Sequence, residues 1–115
     1  MLIDHPIISD EERTPPDAVI EAANYGIALR REHGRGGTEV GLNRAMRLSR
    51  GERLSDRDIK VINAWFARHA VDKLGKFWGH PTKPSAGYIA WHLWGGDASY
   101  DWVKPLRARL KEVGI

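Results

Sequence analysis

The sequence predicts an all-α fold: a compact single-domain bundle of about five helices around one short, buried, Trp-rich helix. Three observations lead there. Residues 85–97, Ser-Ala-Gly-Tyr-Ile-Ala-Trp-His-Leu-Trp-Gly-Gly-Asp, are apolar almost all round a helical wheel, so a helix built from them has no face to give to water. Helix start and stop signals alternate along the chain, with glycines at Gly34, Gly51 and Gly95-Gly96 acting as punctuation. No stretch shows the apolar–polar alternation of a strand, and no internal repeat is present.

Taken in order, residues 1–13 show no period and read as an acidic N-terminal arm, extended or mobile. Leu2, Ile3, Ile7 and Ile8 in it are able to pack locally. Residues 14–115 read as the single helical domain. Thr14-Pro15-Pro16-Asp17 looks like a helix start capped by Thr14, leading into a helix to about His33. Its inner face takes Val19, Ala22, Ala23, Gly26 and Leu29, and Gly26 in mid-helix points to a close helix crossing. Thr38 caps a second helix to about Arg50, with Leu42, Ala45, Met46 and Ser49 facing inward, an arc widened by Gly41 and Leu48, and Asn43, Arg44, Arg47 and Arg50 outward. Ser55-Asp-Arg-Asp58 is a variant capping box for a third helix to about Asp72. Its apolar face carries Ile59, Ile62, Trp65, Phe66, His69 and Ala70. Residues 73–84 form a long loop, the Trp-rich helix follows, and Asp97 or Ser99 caps a last helix. That helix turns Trp102, Leu106, Leu110 and Val113 inward and Pro105 outward, where a kink is expected.

A chain of 115 residues can bury a real core, and the absence of cysteine removes disulfides, thiolate metal sites and Cys nucleophiles. No apolar run approaches the roughly 18 residues of a membrane span, so no membrane partner is expected. The N-terminus lacks the pattern of a signal peptide, which points to a soluble intracellular protein. The net charge of +3 conceals an asymmetry. Residues 1–24 carry six acids against Arg13, and the remainder carries nine acids against 17 Lys and Arg. An acidic head on a basic body favours an anionic partner for the body.

Several constellations are candidates for chemistry. The turn His33-Gly-Arg-Gly-Gly-Thr38, flanked by Arg30, Arg31 and Arg35, would let backbone N–H groups of Gly36, Gly37 and Thr38 approach an anion. Alternatively it is a plain connector whose glycines serve a C-cap and a tight turn. Arg44, Arg47 and Arg50 make a basic stripe suited to phosphate contact. The second and third helices could pass for a helix-turn-helix, with Arg57, Lys60, Asn63 and Arg68 as readers, but their connector is longer than that motif uses. Loop 73–84 interleaves Lys73, Lys76 and Lys83 with Phe77, Trp78 and His80, the mixture found where single strands stack. The commoner fate of such aromatics is to fold back over the core. His69, Asp72, His80 and His92 lack metal-ligand spacing, so no metal and no cofactor are expected. Asp97 with His69 or His92 is the one acid–base pairing that would suit a small enzyme.

Three segments stand out together: Leu29-Arg-Arg-Glu-His-Gly-Arg-Gly-Gly-Thr-Glu-Val-Gly41, Trp65-Phe-Ala-Arg-His-Ala-Val-Asp-Lys73 and Pro84-Ser-Ala-Gly-Tyr-Ile-Ala-Trp-His-Leu-Trp-Gly-Gly-Asp-Ala98. They resemble an uncharacterised helical domain of tailed-bacteriophage and prophage proteins, over roughly residues 15–103. Asn43, Met46 and the Ser99-Tyr-Asp step depart from that pattern. The resemblance implies a phage setting, in the host cytoplasm or the virion. It supplies no activity and no catalytic residue.

The function expected from these readings is a small non-enzymatic binding module. It would contact nucleic acid along the phosphate backbone through Arg30, Arg31, Arg35, Gly36, Gly37, Thr38, Arg44, Arg47, Arg50, Lys73 and Lys76. The alternative partner is a phage structural protein, met through a virion- or head-associated interaction surface.

Overall fold

The centre of the molecule is the short helix that the tryptophan-rich stretch forms. The computed structural model describes residues 3–115, and its elements are α1 (Asp10–Arg13), α2 (Asp17–His33), α3 (Glu39–Ser49), α4 (Asp56–His69), a 3-10 turn (Ala70–Leu74), α5 (Ala86–Leu93) and α6 (Gly96–Glu112). The architecture is all-α, with no strand among the described residues. Ser85 caps α5 by accepting the N–H of Tyr88 at 3.1 Å, and Ile89, Trp91 and Leu93 are buried. The other long helices, α2, α3, α4 and α6, all pack against it.

The tightest of these packings is α2 on α5. A methyl group added at Gly26 would lie 2.5 Å from the backbone nitrogen of Leu93 and 2.7 Å from the carbonyl carbon of His92. The two backbones therefore touch, and only glycine fits between them. The following turn continues the contact. At Gly36, which has φ +102°, an added Cβ would meet Cγ2 of Ile89 at 2.4 Å.

Aromatic stacking fills the remaining core. Trp65 of α4 lies nearly parallel to Trp94 at 4.9 Å between ring centres, Phe66 lies on Tyr100 at 5.1 Å, and Trp91 meets Phe66 edge-on at 4.7 Å. Rings in these offset or edge-on arrangements add directional attraction to their area burial.

Residues 3–13 do not stand off as a separate arm but pack on the helical body. They wrap the start of α4 through Arg13, whose side chain is fully buried. The guanidinium donates to the carbonyls of Ile8 at 3.1 Å, Leu54 at 3.3 Å and His5 at 2.8 Å, and to the Asp56 carboxylate at 2.7 Å. Removing one partner of such a buried pair costs about 3–5 kcal/mol, because the other polar groups are left unsatisfied. The segment is tied to α6 as well: Glu12 pairs with Arg109, and its carbonyl accepts Nε1–H of Trp102 at 2.8 Å. Ile8 joins the core, while Ile3 stays exposed; Leu2 lies outside the described residues.

Three local expectations are corrected. Thr14 does not cap α2; it closes α1, with its N–H on the Glu11 carbonyl at 3.2 Å, and α2 starts after Pro16 with no side-chain cap. The buried side of α3 is Gly41, Ala45 and Leu48, so Met46 faces out. The glycine turn fixes the roll of α3 against α5, and the sequence arc around Met46 loses to that constraint. In α6, Gly95 at φ +104° forms the start, which puts Asp97 in the first turn rather than at the cap. Its buried residues are Gly96, Ser99, Val103, Leu106 and Leu110, with Val113 exposed. The helix runs on through the exposed Pro105.

Gly26→Ala tests the central contact. Helix propensity alone would stabilise the variant by about 1 kcal/mol. The backbone clash reverses that sign, and a net loss of roughly 1–3 kcal/mol is expected in urea denaturation. A gain in stability would contradict the packing described.

Candidate nucleic-acid interface

The positive charges expected to form the interface divide into two sets once their partners are known. Arg44 is held by the Asp58 carboxylate at 3.0 Å and Arg47 by the same group at 3.5 Å. Arg50 pairs with Glu52 at 2.7 Å, and Arg30 reaches Glu39 at 3.4 Å while its Nε donates to the Gly36 carbonyl at 3.1 Å. Lys73 is held by Asp97 at 2.6 Å and stands over the Trp91 ring at 4.8 Å. These five cations each have a carboxylate partner within the fold, and the three arginines of the stripe share two carboxylates, Asp58 and Glu52.

The Gly-rich turn also serves the fold. Gly36 is buried against Ile89, and an added Cβ at Gly37 would lie 2.7 Å from the Leu93 side chain. Thr38 caps α3 by accepting the Gly41 N–H at 3.4 Å, and Glu39 brings a negative charge to the first turn. These contacts give the turn a structural role, while the N–H groups of Gly36, Gly37 and Thr38 donate no hydrogen bond among the described residues.

Arg31, Arg35 and Lys76 make no ion pair with a carboxylate among the described residues. Arg31 borders a recess between α2 and α3 with Ile27, Arg30 and Leu42. Arg35 and Lys76 meet elsewhere, on an open groove of about 360 Å³ at the start of α5, lined also by Gly75, Phe77, Lys83, Ser85 and Ala86. Arg35 is drawn there by a hydrogen bond from its guanidinium to the Pro84 carbonyl at 2.9 Å. The loop is closed beneath the groove, since the Phe77 carbonyl accepts the N–H groups of both His80 at 3.1 Å and Ser85 at 2.9 Å. His80 Nδ1 accepts the N–H groups of Thr82 at 3.2 Å and Lys83 at 3.0 Å, which assigns the ring proton to Nε2.

The loop aromatics take opposite roles. Trp78 folds back, edge-on to Tyr88 at 5.2 Å and Trp91 at 5.7 Å, whereas Phe77 stays 42% exposed beside the cations. The acid bordering the groove is Asp72, in the adjoining recess with Gly75, Ser85 and Gly87, where it also contacts His69 Nδ1 at 3.3 Å. Lys83 and Phe77 stand out in the sequence as loop residues. Nothing local signals that Arg35, far away in the chain, joins them.

Of the acid–base candidates, His92 and Asp97 lie close enough for each to feel the other's charge, but no hydrogen bond joins them. Asp97 accepts from Lys73 and from Trp91 Nε1 at 2.9 Å, and these bonds, that of Lys73 foremost, hold its carboxyl below the usual range. His92 places Nδ1 on the Tyr88 carbonyl at 2.9 Å, and burial pushes its pKa down. Neither His92 nor His69 hydrogen-bonds Asp97. Among the described residues no three His, Asp or Glu side chains cluster as metal ligands, and no helix is long and apolar enough to cross a membrane.

The chain matches no protein-family model, no curated protein and no solved structure.

The ion pairs of the fold have a pH signature. Burial pushes the Asp58 carboxyl up, but the Ser55 N–H and the Arg44 charge outweigh it, and the net position is below the ordinary value. Glu12 falls to about 2, chiefly through its bond to Arg109. Carboxyls depressed in the folded state contribute stability that is complete above their unfolded values, near pH 4, and is lost as pH falls through the folded ones. The melting temperature should therefore drop between about pH 4 and pH 2, and less steeply in Asp58→Asn, which has already lost one contributor. Identical acid slopes for the two proteins would contradict the role given to Asp58.

Proposed function

We propose that this chain is a non-enzymatic, phage-type binding module that contacts nucleic acid along its phosphate backbone. The observation that carries the reading is the meeting of Arg35 and Lys76 with Lys83 on one open groove, while most of the other expected cations are matched by acids. Cations without internal partners are those able to displace the counterions of a polyanion, which is the main source of such affinity. The partner is a phage genome or its transcripts, in the host cytoplasm or the virion. That setting rests on the resemblance of residues 29–41, 65–73 and 84–98 to the phage helical domain.

A second reading is favoured by a different observation. Between α3 and α4, Val40 and Val61 are exposed beside Asn43, Arg44 and Arg47, with Trp94 at the base. An apolar surface whose arginines are engaged by a carboxylate suits a protein partner, such as a phage structural protein, better than a polyanion.

Fluorescence anisotropy with a labelled oligonucleotide separates the two. Three phosphate contacts to a single strand imply a loss of roughly 20-fold in affinity between about 50 and 200 mM salt. Arg35→Glu with Lys76→Glu and Lys83→Glu should abolish binding, whereas Arg47→Gln with Arg50→Gln should leave it nearly unchanged. Absence of binding at low salt would overturn the nucleic-acid reading. A stoichiometric, nuclease-insensitive protein partner lost on Val40→Glu would establish the second.

A further inference from the structure

We infer that the groove takes an unpaired nucleobase on Phe77, so that the module prefers single-stranded nucleic acid to duplex. This rests on the nucleic-acid reading and specifies its ligand. Among the described residues Phe77 is the only aromatic side chain lining the groove, and it is exposed beside Lys76, Lys83 and Arg35. The Lys76 ammonium stands 5.6 Å from the ring centre, and His80 meets the ring at 5.5 Å. A duplex covers the faces of its bases and shows a protein only base edges and phosphates. A free base offers a face to stack on the ring while the adjoining phosphate lies among the cations.

The site is also held in place before any ligand arrives. The Phe77 carbonyl is pinned by two backbone donors, and His80 gathers the N–H groups of Thr82 and Lys83, so the ring and Lys83 stand on a closed loop rather than a free one. Ordering costs that weaken binding by flexible segments are thereby reduced. Arg35 uses one nitrogen on Pro84 and keeps its other N–H groups for a ligand. Ser85 accepts the Tyr88 N–H through its oxygen and keeps its hydroxyl proton to donate. A volume of about 360 Å³ lies at the small end of ligand sites and suits one nucleotide unit rather than a helix. Asp72 borders the Gly87 side, so the phosphate is expected on the side of Arg35 and Lys83.

The test is anisotropy at low salt with fluorescein-labelled dT12, with a 12-base-pair duplex, and with AMP as competitor, on the wild type, Phe77→Ala and Phe77→Trp. Phe77 is partly exposed, so both variants should fold, as circular dichroism can verify. Expected are tighter binding of dT12 than of duplex, and a roughly ten- to hundred-fold loss for dT12 in Phe77→Ala. Affinity should be retained in Phe77→Trp, and duplex binding should be unmoved by either substitution. Equal affinity for strand and duplex, with no effect of Phe77→Ala, would overturn this inference and leave the broader reading standing. Failure of both nucleic acids to bind would overturn both. AMP competing as well as dT12 does would overturn the strand preference in favour of a free nucleotide.

Discussion

Backbone contact between α2 and α5 is the constraint on which the rest of the molecule depends. Gly26 allows the two helices to approach until main chain meets main chain, and Gly36 lets the following turn close over Ile89. A buried apolar helix of eight residues cannot be stable by itself. It persists because neighbours enclose it, and the close crossing with α2 leaves no room for water on that side. The roll of α3 follows from the turn, and the wall of Trp65, Phe66 and Trp91 follows from where α4 and α6 can then pack. The same closure sets the candidate site: Arg35 lies in the turn that docks on α5, and Pro84 and Ser85 lie at the start of α5.

Charge is distributed according to a second rule. A guanidinium beside a helix of this bundle is usually met by a carboxylate, as with Arg44 and Asp58, Arg50 and Glu52, and Arg109 and Glu12. Even the acidic N-terminal segment is consumed in this way: Asp4 and Asp10 both bind Arg53, while Asp56 takes Arg13. Such pairs contribute modestly where exposed and matter chiefly by fixing neighbours. They engage the arginine stripe with carboxylates, whereas Arg35, Lys76 and Lys83, which line one groove, have no carboxylate partner among the described residues.

Much of the architecture was legible because it rests on local chemistry. The Ser85 cap, the Ser55–Asp58 box, the Gly34 and Gly51 stops and the burial of the tryptophans of α5 are each written in a few adjacent residues. Gly26 was readable as a crossing point because glycine in mid-helix is otherwise costly. What local patterns did not carry was the buried Arg13. An acidic, aperiodic segment reads as an arm, and only the carbonyls of His5, Ile8 and Leu54 closing around one guanidinium make it part of the domain. The site shows the same division. The cations were visible one by one, but their pairing depends on acids 11 or 14 residues away for Arg47 and Arg44 and 24 away for Lys73, on other elements. The meeting of Arg35 with loop 76–85 depends on the α2–α5 packing.

The most direct measurement is a 1H–15N NMR titration of the uniformly labelled protein with dT12 at low salt. Shift changes confined to Arg35 and residues 75–87, with α3 and α4 silent, are the expected result. Changes centred on Val40, Arg44, Arg47 and Val61, with the groove unmoved, would contradict the placement of the interface.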